Sequence, residues 1–216
     1  MTRLFSAFLI AAFGATGALP AQDPASIAGR ASRLYRNLSS LRADFHQVIE
    51  DRMIGTHESR GELIQSGGAK LLMRFSDPKG DMIVLDGTHV WLYVPSTTPG
   101  QVIRMNIQHD PVYGPNVLAR ILDRPADRYQ LEWLETTTIG GMVTDAVIFT
   151  PNVADPLFRK ATIWFDREDG LPRRLQLDEL TGVRRTLDLS RLRLNVATDE
   201  RTFRFDVPSG VRVVVQ

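Results

Sequence analysis

The stretch MIVLDGTHVWLYVPSTTPGQVIRM, residues 82–105, decides the fold of this 216-residue chain. Its apolar, β-prone runs predict three consecutive strands, at residues 82–85, 90–94 and 101–105. Asp86-Gly87 favours a tight hairpin between the first two strands, because glycine adopts a positive φ without strain. Trp91 and Tyr93 are two positions apart, so their side chains point to the same face of the sheet.

The same period of two continues on both sides of this stretch. Apolar and polar residues alternate in further short runs, such as residues 41–50, 71–76, 160–166 and 202–206. Turns rich in glycine, proline, serine or aspartate separate the runs, and no linker divides the chain. The sequence therefore predicts a mainly β (α+β) fold, in which an antiparallel meander of about 10–11 strands curls into a barrel or half-barrel.

Two helices interrupt the strands. Asp23-Pro24 is typical of a helix start, with aspartate as the N-cap and proline in the first turn. Apolar residues then recur at helical spacing over residues 24–38, at Ile27, Ala31, Leu34 and Leu38. A second, shorter helix is predicted within residues 111–123. Two helices are too few to cover both faces of such a sheet, so we expect them to cover one mouth or one side.

The N-terminus has the layout of a secretory signal peptide. Arg3 precedes an uncharged run, residues 4–19, and small residues follow at Ala18 and Ala21. The run is shorter than the roughly 20 residues that a membrane-spanning helix needs. We therefore predict a signal peptide over residues 1–21, cleaved after Ala21 or alternatively after Ala18, and a single domain over residues 22–216.

The sequence offers no recognisable catalytic or metal-binding set. It contains no cysteine, and its net charge of +1 gives no electrostatic reason to expect nucleic-acid binding. His57-Glu58 begins like the zinc-protease motif, but Gly61 stands where that motif needs its second histidine. We therefore predict a protein that is not an enzyme, uses no cofactor or metal, and does not bind nucleic acid.

Several short motifs, taken in order, resemble the LolA family of outer-membrane lipoprotein carriers. They are YRNLSSLRADFHQ (residues 35–47), GEL (61–63), Arg74-Phe75 with Pro78, Asp86-Gly87, VWLYVP (90–95) with Gln101-Val102, and FRFDVPSGV (203–211). No single motif is specific. Their order and spacing cover essentially the whole predicted mature chain.

This resemblance implies an unclosed β-barrel with helices that form a lid over an apolar cavity. In the family the cavity takes the acyl chains of a lipoprotein from an inner-membrane ABC transporter (LolCDE-like) and passes them to an outer-membrane receptor (LolB-like). That receptor is itself a lipoprotein, and the absence of cysteine here implies the carrier. We therefore expect a soluble, monomeric periplasmic protein that delivers to such a receptor where one is present.

Strand phase then gives candidate contacts for the acyl chains. The cavity wall is predicted to contain two sets of side chains that share a strand face: Leu71, Met73 and Phe75, and Trp91 and Tyr93. The lid is predicted to contribute apolar residues from both helices: Leu34, Leu38, Val117, Leu118, Ile121 and Leu122. Met73 suits such a wall, because its unbranched side chain adapts to different shapes.

One departure from the family concerns the lid. The resemblance implies an Arg-Pro pair in the turn after the strand that holds Gly61, where the arginine bonds to the lid. Gly67-Gly68 occupies that place, so Lys70 or Arg74 is the candidate substitute for closing the lid.

Two alternatives to the carrier remain. The first is a periplasmic sensor, or a binder of another hydrophobic ligand, on the same fold. We expect a sensor to carry a further domain, whereas this chain ends at Gln216, shortly after its last predicted strands. The second is an enzyme that uses paired carboxylates, but none of the 25 acidic residues is singled out by its pattern.

Overall fold

A computed structural model describes residues 22–107 and 116–216. The predicted signal peptide, residues 1–21, lies outside the described residues, as does the beginning of the second predicted helix. No helix in the described ranges is long and apolar enough to cross a membrane.

The described ranges contain one twelve-stranded sheet. The strands are β1 (Ser40–Asp51), β2 (Gly55–Ser66), β3 (Lys70–Asp77), β4 (Met82–Asp86), β5 (His89–Tyr93), β6 (Gln101–Asn106), β7 (Tyr129–Ile139), β8 (Met142–Pro151), β9 (Phe158–Asp166), β10 (Pro172–Glu179), β11 (Arg184–Leu194) and β12 (Arg212–Val215). Their order is β12-β6-β5-β4-β3-β2-β1-β11-β10-β9-β8-β7. Because β12 and β7 lie at opposite edges, the sheet is not closed, and the predicted unclosed antiparallel barrel is confirmed.

The C-terminal part of the chain differs from the prediction in two ways. Strand β12 pairs with β6 in parallel, which is an exception to the antiparallel order. The predicted strand at residues 202–206 is wrong: Glu200–Phe203 forms a 3₁₀ turn instead. The carboxylate of Asp199 caps this turn by accepting a hydrogen bond from the Arg201 amide, at 2.9 Å, and Phe203 is buried under it.

Three helices lie in the described ranges: α1 (Pro24–Arg36), α2 (Val117–Leu122) and α3 (Pro125–Arg128). Asp23 caps α1 as predicted, and its carboxylate accepts from the Ala25 amide at 3.1 Å. The helix ends two residues earlier than predicted. Its buried residues are Ala28, Ala31, Ser32 and Tyr35, and Ile27 packs beside them.

The main core lies between the helices and one face of the sheet, which we call the inner face. It joins buried residues of strands from both halves of the sheet, including Phe45, Met73, Phe149 and Ile163, to residues of α1 and α2. A second, smaller cluster lies on the outer face and consists of Ile64, Leu72, Val84 and Phe203. Both faces of the β2–β4 region are therefore covered.

Candidate functional site

An apolar cavity of about 370 Å³ lies between the inner face of the sheet and the helices. Most of its wall is aliphatic and comes from β1, from strands on both sides of β1 and from the β8–β9 loop: Leu41, Leu63, Leu71, Met73, Ile83, Leu157, Leu175, Leu177 and Leu187. This volume falls within the range of about 300–1,000 Å³ that is usual for small-molecule sites. The wall can bind a flexible hydrocarbon chain by burial alone.

The strand register shows why these side chains meet. Met73 is paired with Leu63 on one neighbouring strand and with Ile83 on the other, and Leu71 is paired with Leu85. Directly paired residues share a face, so all of them point inward. Leu71 and Met73, two of the predicted contacts, thus lie in the cavity wall.

Phe75 lies on the same face but beside the cavity. Its ring is half-buried and packs edge-to-face on Phe45, with 5.0 Å between ring centroids. Gly61 is paired with both phenylalanines across the sheet, which leaves room for the two rings above its backbone. This aromatic pair closes one side of the inner face near the β2–β3–β4 edge of the cavity.

The prediction for Trp91 and Tyr93 is wrong, because both point to the outer face. Trp91 is paired with Val84, which in turn is paired with Leu72 of the outer cluster. The Trp91 ring stacks on Phe205, with 5.4 Å between centroids, and Tyr93 lies 5.6 Å from the same ring. These aromatic residues anchor the C-terminal segment and do not contact the cavity.

The lid contributes fewer residues to the cavity than predicted. Val117 and Leu118 line it from α2, while Ile121 and Leu122 are fully buried in the core behind them. Leu38 is partly buried against the core, and Leu34 is exposed over 37% of its surface beside the β9–β10 turn. The contacts of α2 with the cavity therefore come mainly from its first turn.

A buried hydrogen bond that the sequence analysis missed joins the lid to the wall. The hydroxyl of Tyr35 donates to the side-chain carbonyl of Gln65 on β2, and the Gln65 amide donates to the Gly67 carbonyl at 2.8 Å. Burial raises the pKa of the Tyr35 hydroxyl far above its ordinary value, and the hydrogen bond to Gln65 opposes this only in part. The hydroxyl is thus a neutral donor at all physiological pH values.

Arg30 forms a second attachment between α1 and the sheet. Its guanidinium donates to the backbone carbonyls of Arg167, at 3.0 Å, and Glu168, at 2.6 Å, in the β9–β10 turn. A signal for this contact is weak in the sequence, because 137 residues separate Arg30 from Arg167.

Lys70 and Arg74 do not reach the lid, which corrects their predicted role. Both alternate with the inward-facing Leu71 and Met73, so they share the outer face with Leu72. The ammonium group of Lys70 forms an ion pair with Glu200 of the 3₁₀ turn. Tyr35 and Arg30 form the side-chain hydrogen bonds from α1 to β2 and to the β9–β10 turn instead.

A second polar group lines one end of the cavity. Arg185 on β11 donates to Glu179 at 2.9 Å and to the side chain of Gln47 at 3.3 Å. All three side chains line the cavity, and Glu179 and Arg185 lie at the ends of their strands next to the β10–β11 turn. Within the described ranges, no group of three or more histidine, aspartate or glutamate side chains is placed to hold a metal ion. The arrangement suits binding of a long apolar ligand with a polar end.

Comparisons with known proteins agree with this geometry. A sequence model of the LolA family, described as outer membrane lipoprotein carrier protein LolA, matches residues 36–206. An outer-membrane lipoprotein carrier protein of Alcanivorax borkumensis is 30% identical over 184 residues, which cover 84% of each chain. One of Chromohalobacter salexigens is 27% identical over 210 residues, 94% of each chain.

A solved structure shows the same fold. An uncharacterized conserved protein from Thermus thermophilus superposes with a TM-score of 0.56 at 14% sequence identity. The superposition covers 88% of this chain and 98% of that chain. At this identity, the likeness concerns the fold alone.

Proposed function

This chain belongs to the LolA family of outer-membrane lipoprotein carrier proteins, and we propose that it is a periplasmic carrier for the acyl chains of lipoproteins. It accepts lipoproteins released from the inner membrane by an ABC transporter and delivers them to an outer-membrane receptor. The observation that carries this proposal is the apolar cavity under α1 and α2.

The energetics of acyl chains explain why such a carrier is needed. Each buried methylene gains about 0.8 kcal/mol, so exposing a chain of ~15 methylenes to water costs on the order of 12 kcal/mol. A lipoprotein with two or three such chains does not cross an aqueous compartment at a useful rate without cover. An aliphatic wall supplies that cover without any catalytic residue.

The lid contacts suit a carrier that must also release its cargo. Leu118 contributes its side chain to the same core that the acyl chains would enter, so cargo and lid compete for the inner face. A cavity that closes on its own helices binds cargo less tightly than a permanently open one, because closing the lid offsets part of the binding free energy. Transfer of the acyl chains to a receptor whose cavity is not filled by its own helices then has a favourable free energy.

Leu118→Glu tests the cavity directly. A carboxylate in an apolar cavity is costly, so this variant should bind a fluorescent acyl probe at least tenfold more weakly than the wild type. Val153→Glu is the matched control, because Val153 is 82% exposed in the β8–β9 loop. Met73→Gln, which keeps the side-chain length, provides a second cavity variant if Leu118→Glu does not fold.

Two measurements decide the outcome. Titration of the probe tests acyl binding, and thermal unfolding of each variant checks that it is folded. Equal probe affinity in the wild type and both cavity variants would mean that the ligand binds outside this cavity. Release of a newly acylated lipoprotein from inner-membrane vesicles, followed by transfer to outer-membrane vesicles, tests delivery. A protein that binds acyl probes but releases no lipoprotein would be a binder or sensor of another hydrophobic ligand.

A further inference from the structure

The side-chain amide of Asn116 lies at the edge of the cavity, and only one of its two polar atoms has a hydrogen-bond partner among the described residues. The residue is only 8% exposed, caps α2 and lines the cavity beside Val117. Its Oδ1 accepts a hydrogen bond from the Ala119 amide at 3.2 Å. Its Nδ2 is buried and has no hydrogen-bond partner among the residues that the structure describes.

The orientation of this amide follows from its neighbours. The Ala119 amide is a donor at the N-terminus of α2, so it requires the oxygen of Asn116 and not the nitrogen. Tyr35 lies 3.5 Å from the same oxygen, but its proton is used in the shorter bond to Gln65. A flipped amide would leave the helix cap without an acceptor, so Nδ2 is the atom without a partner.

A buried donor of this kind is uncommon and destabilising. Most buried polar groups have a partner, and one without a partner has lost its hydrogen bonds to water without replacement. The surrounding wall consists mainly of leucine side chains, which accept no hydrogen bond. Other polar side chains of this region, Tyr35 and Gln65, are already bonded to each other. An acceptor on a ligand that fills the cavity would satisfy Nδ2.

We infer that Asn116 Nδ2 donates a hydrogen bond to the carbonyl oxygen of a bound acyl group. This inference rests on the proposed function and specifies its ligand chemistry: ester- or amide-linked acyl chains, in preference to alkyl chains of equal length that lack the carbonyl. The carbonyl is the acceptor nearest the hydrocarbon of an acyl ligand, so it enters the cavity edge when the chain fills the cavity.

Asn116→Ser is the variant that separates this role from helix capping. Serine is as good an N-cap as asparagine, so α2 keeps its cap, while the shorter side chain withdraws the donor from the cavity. The ligands are two lysophosphatidylcholines below their micelle concentrations, one with a palmitoyl ester and one with a hexadecyl ether. They share head group and chain length and differ in the carbonyl.

The wild type is expected to bind the ester about three- to tenfold more tightly than the ether, the effect of one hydrogen bond. Asn116→Ser should lose this preference and keep the ether affinity. An isotope-labelled ester carbonyl should absorb at lower infrared frequency in the wild type than in the variant. This second readout detects the hydrogen bond even where changes in affinity compensate.

The outcomes separate the two proposals. The inference would be overturned if the wild type bound ester and ether equally. It would also be overturned if Asn116→Ser kept both the ester preference and the carbonyl frequency of the wild type. Either result would leave the carrier proposal intact. If the wild type binds neither lipid, the proposed function fails and the inference fails with it. A carbonyl band that matches free ester in water would show that a water molecule, and not Asn116, is the partner.

Discussion

The hydroxyl of Tyr35 in helix α1 donates a hydrogen bond to the side-chain carbonyl of Gln65 in strand β2, and both side chains are buried. Gln65 in turn donates to the carbonyl of Gly67, in the turn where the family resemblance implies an arginine. A neutral hydrogen bond thus joins lid and wall at a place where the sequence lacks a charged group. Removing the Tyr35 hydroxyl oxygen alone should therefore weaken the attachment of α1 to β2.

Tyr35→Phe is expected to loosen the lid. The variant removes the donor and leaves the Gln65 carbonyl buried without its partner, which should lower the free energy of unfolding by about 1–3 kcal/mol. Hydrogen exchange of the α1 amides should accelerate, and uptake of an acyl probe in stopped-flow mixing should become faster. Tyr93→Phe, on the outer face, is the control; identical exchange in the two variants would contradict the assignment.

Tyr35 also predicts a pH dependence of stability above pH 10. The phenol ionises near pH 10 in the unfolded chain, whereas burial raises its pKa in the folded protein. Above pH 10 the unfolded state binds fewer protons than the folded state, so the free energy of unfolding falls as pH rises. Urea unfolding at pH 8 to 11 should show the advantage of the wild type over Tyr35→Phe constant up to pH 9 and shrinking above pH 10.

Arg30→Gln should release the other attachment of α1. The variant loses the donors to the Arg167 and Glu168 carbonyls, and because Arg30 is exposed the expected cost is about 1 kcal/mol. Amide exchange at the N-terminal half of α1 should rise about fivefold. Arg33→Gln is the matched control on the same helix. If both variants exchange alike, Arg30 does not hold the lid.

Lys70→Ala is expected to leave the lid unchanged. Lys70 pairs with Glu200, whose side chain is 80% exposed, so the ion pair contributes less than about 1 kcal/mol. Exchange of the α1 amides and probe uptake should match the wild type, with Arg30→Gln as the positive control. Faster probe uptake by Lys70→Ala would restore the role that the sequence suggested for it.

The period of the strands predicted the sheet, but it did not predict which face is the inner one. Met73 and Trp91 both belong to strands whose alternation is clear, and the apolar character of both faces made either one acceptable. The outer face is apolar because Phe203 and Phe205 cover it. That cover depends on a segment more than 100 residues away in the sequence, so strand phase alone could not show it.

The contacts between α1 and the sheet could not be predicted from the sequence for a related reason. Helix α1 was predicted from Asp23 and its apolar spacing, because N-caps and periodicity are local. Arg30 and Tyr35 act through partners on other elements, which only the folded chain brings near, and the burial of Asn116 beside the cavity also appears only in the folded chain. Nothing in the sequence singles out Gln65, which lies on the same face of β2 as Leu63.

Gly61→Ala should be one of the more destabilising single-methyl changes in the sheet. A Cβ at this position would overlap the Arg74 carbonyl oxygen and lie 2.9 Å from Cε1 of Phe45. The backbone of a neighbouring strand cannot move freely, so overpacking should lower the free energy of unfolding by about 1–3 kcal/mol. Gly68→Ala is the matched control, because a Cβ there meets no atom within 4 Å.

The consequence of Gly61→Ala for binding follows from the position of Phe45. Displacing its ring disturbs the edge-to-face contact with Phe75 at the side of the cavity, so the acyl-probe affinity should also fall. Urea unfolding and probe titration of both glycine variants measure the two effects together. If Gly61→Ala is as stable as Gly68→Ala, the close approach of Phe45 does not explain why glycine occupies position 61.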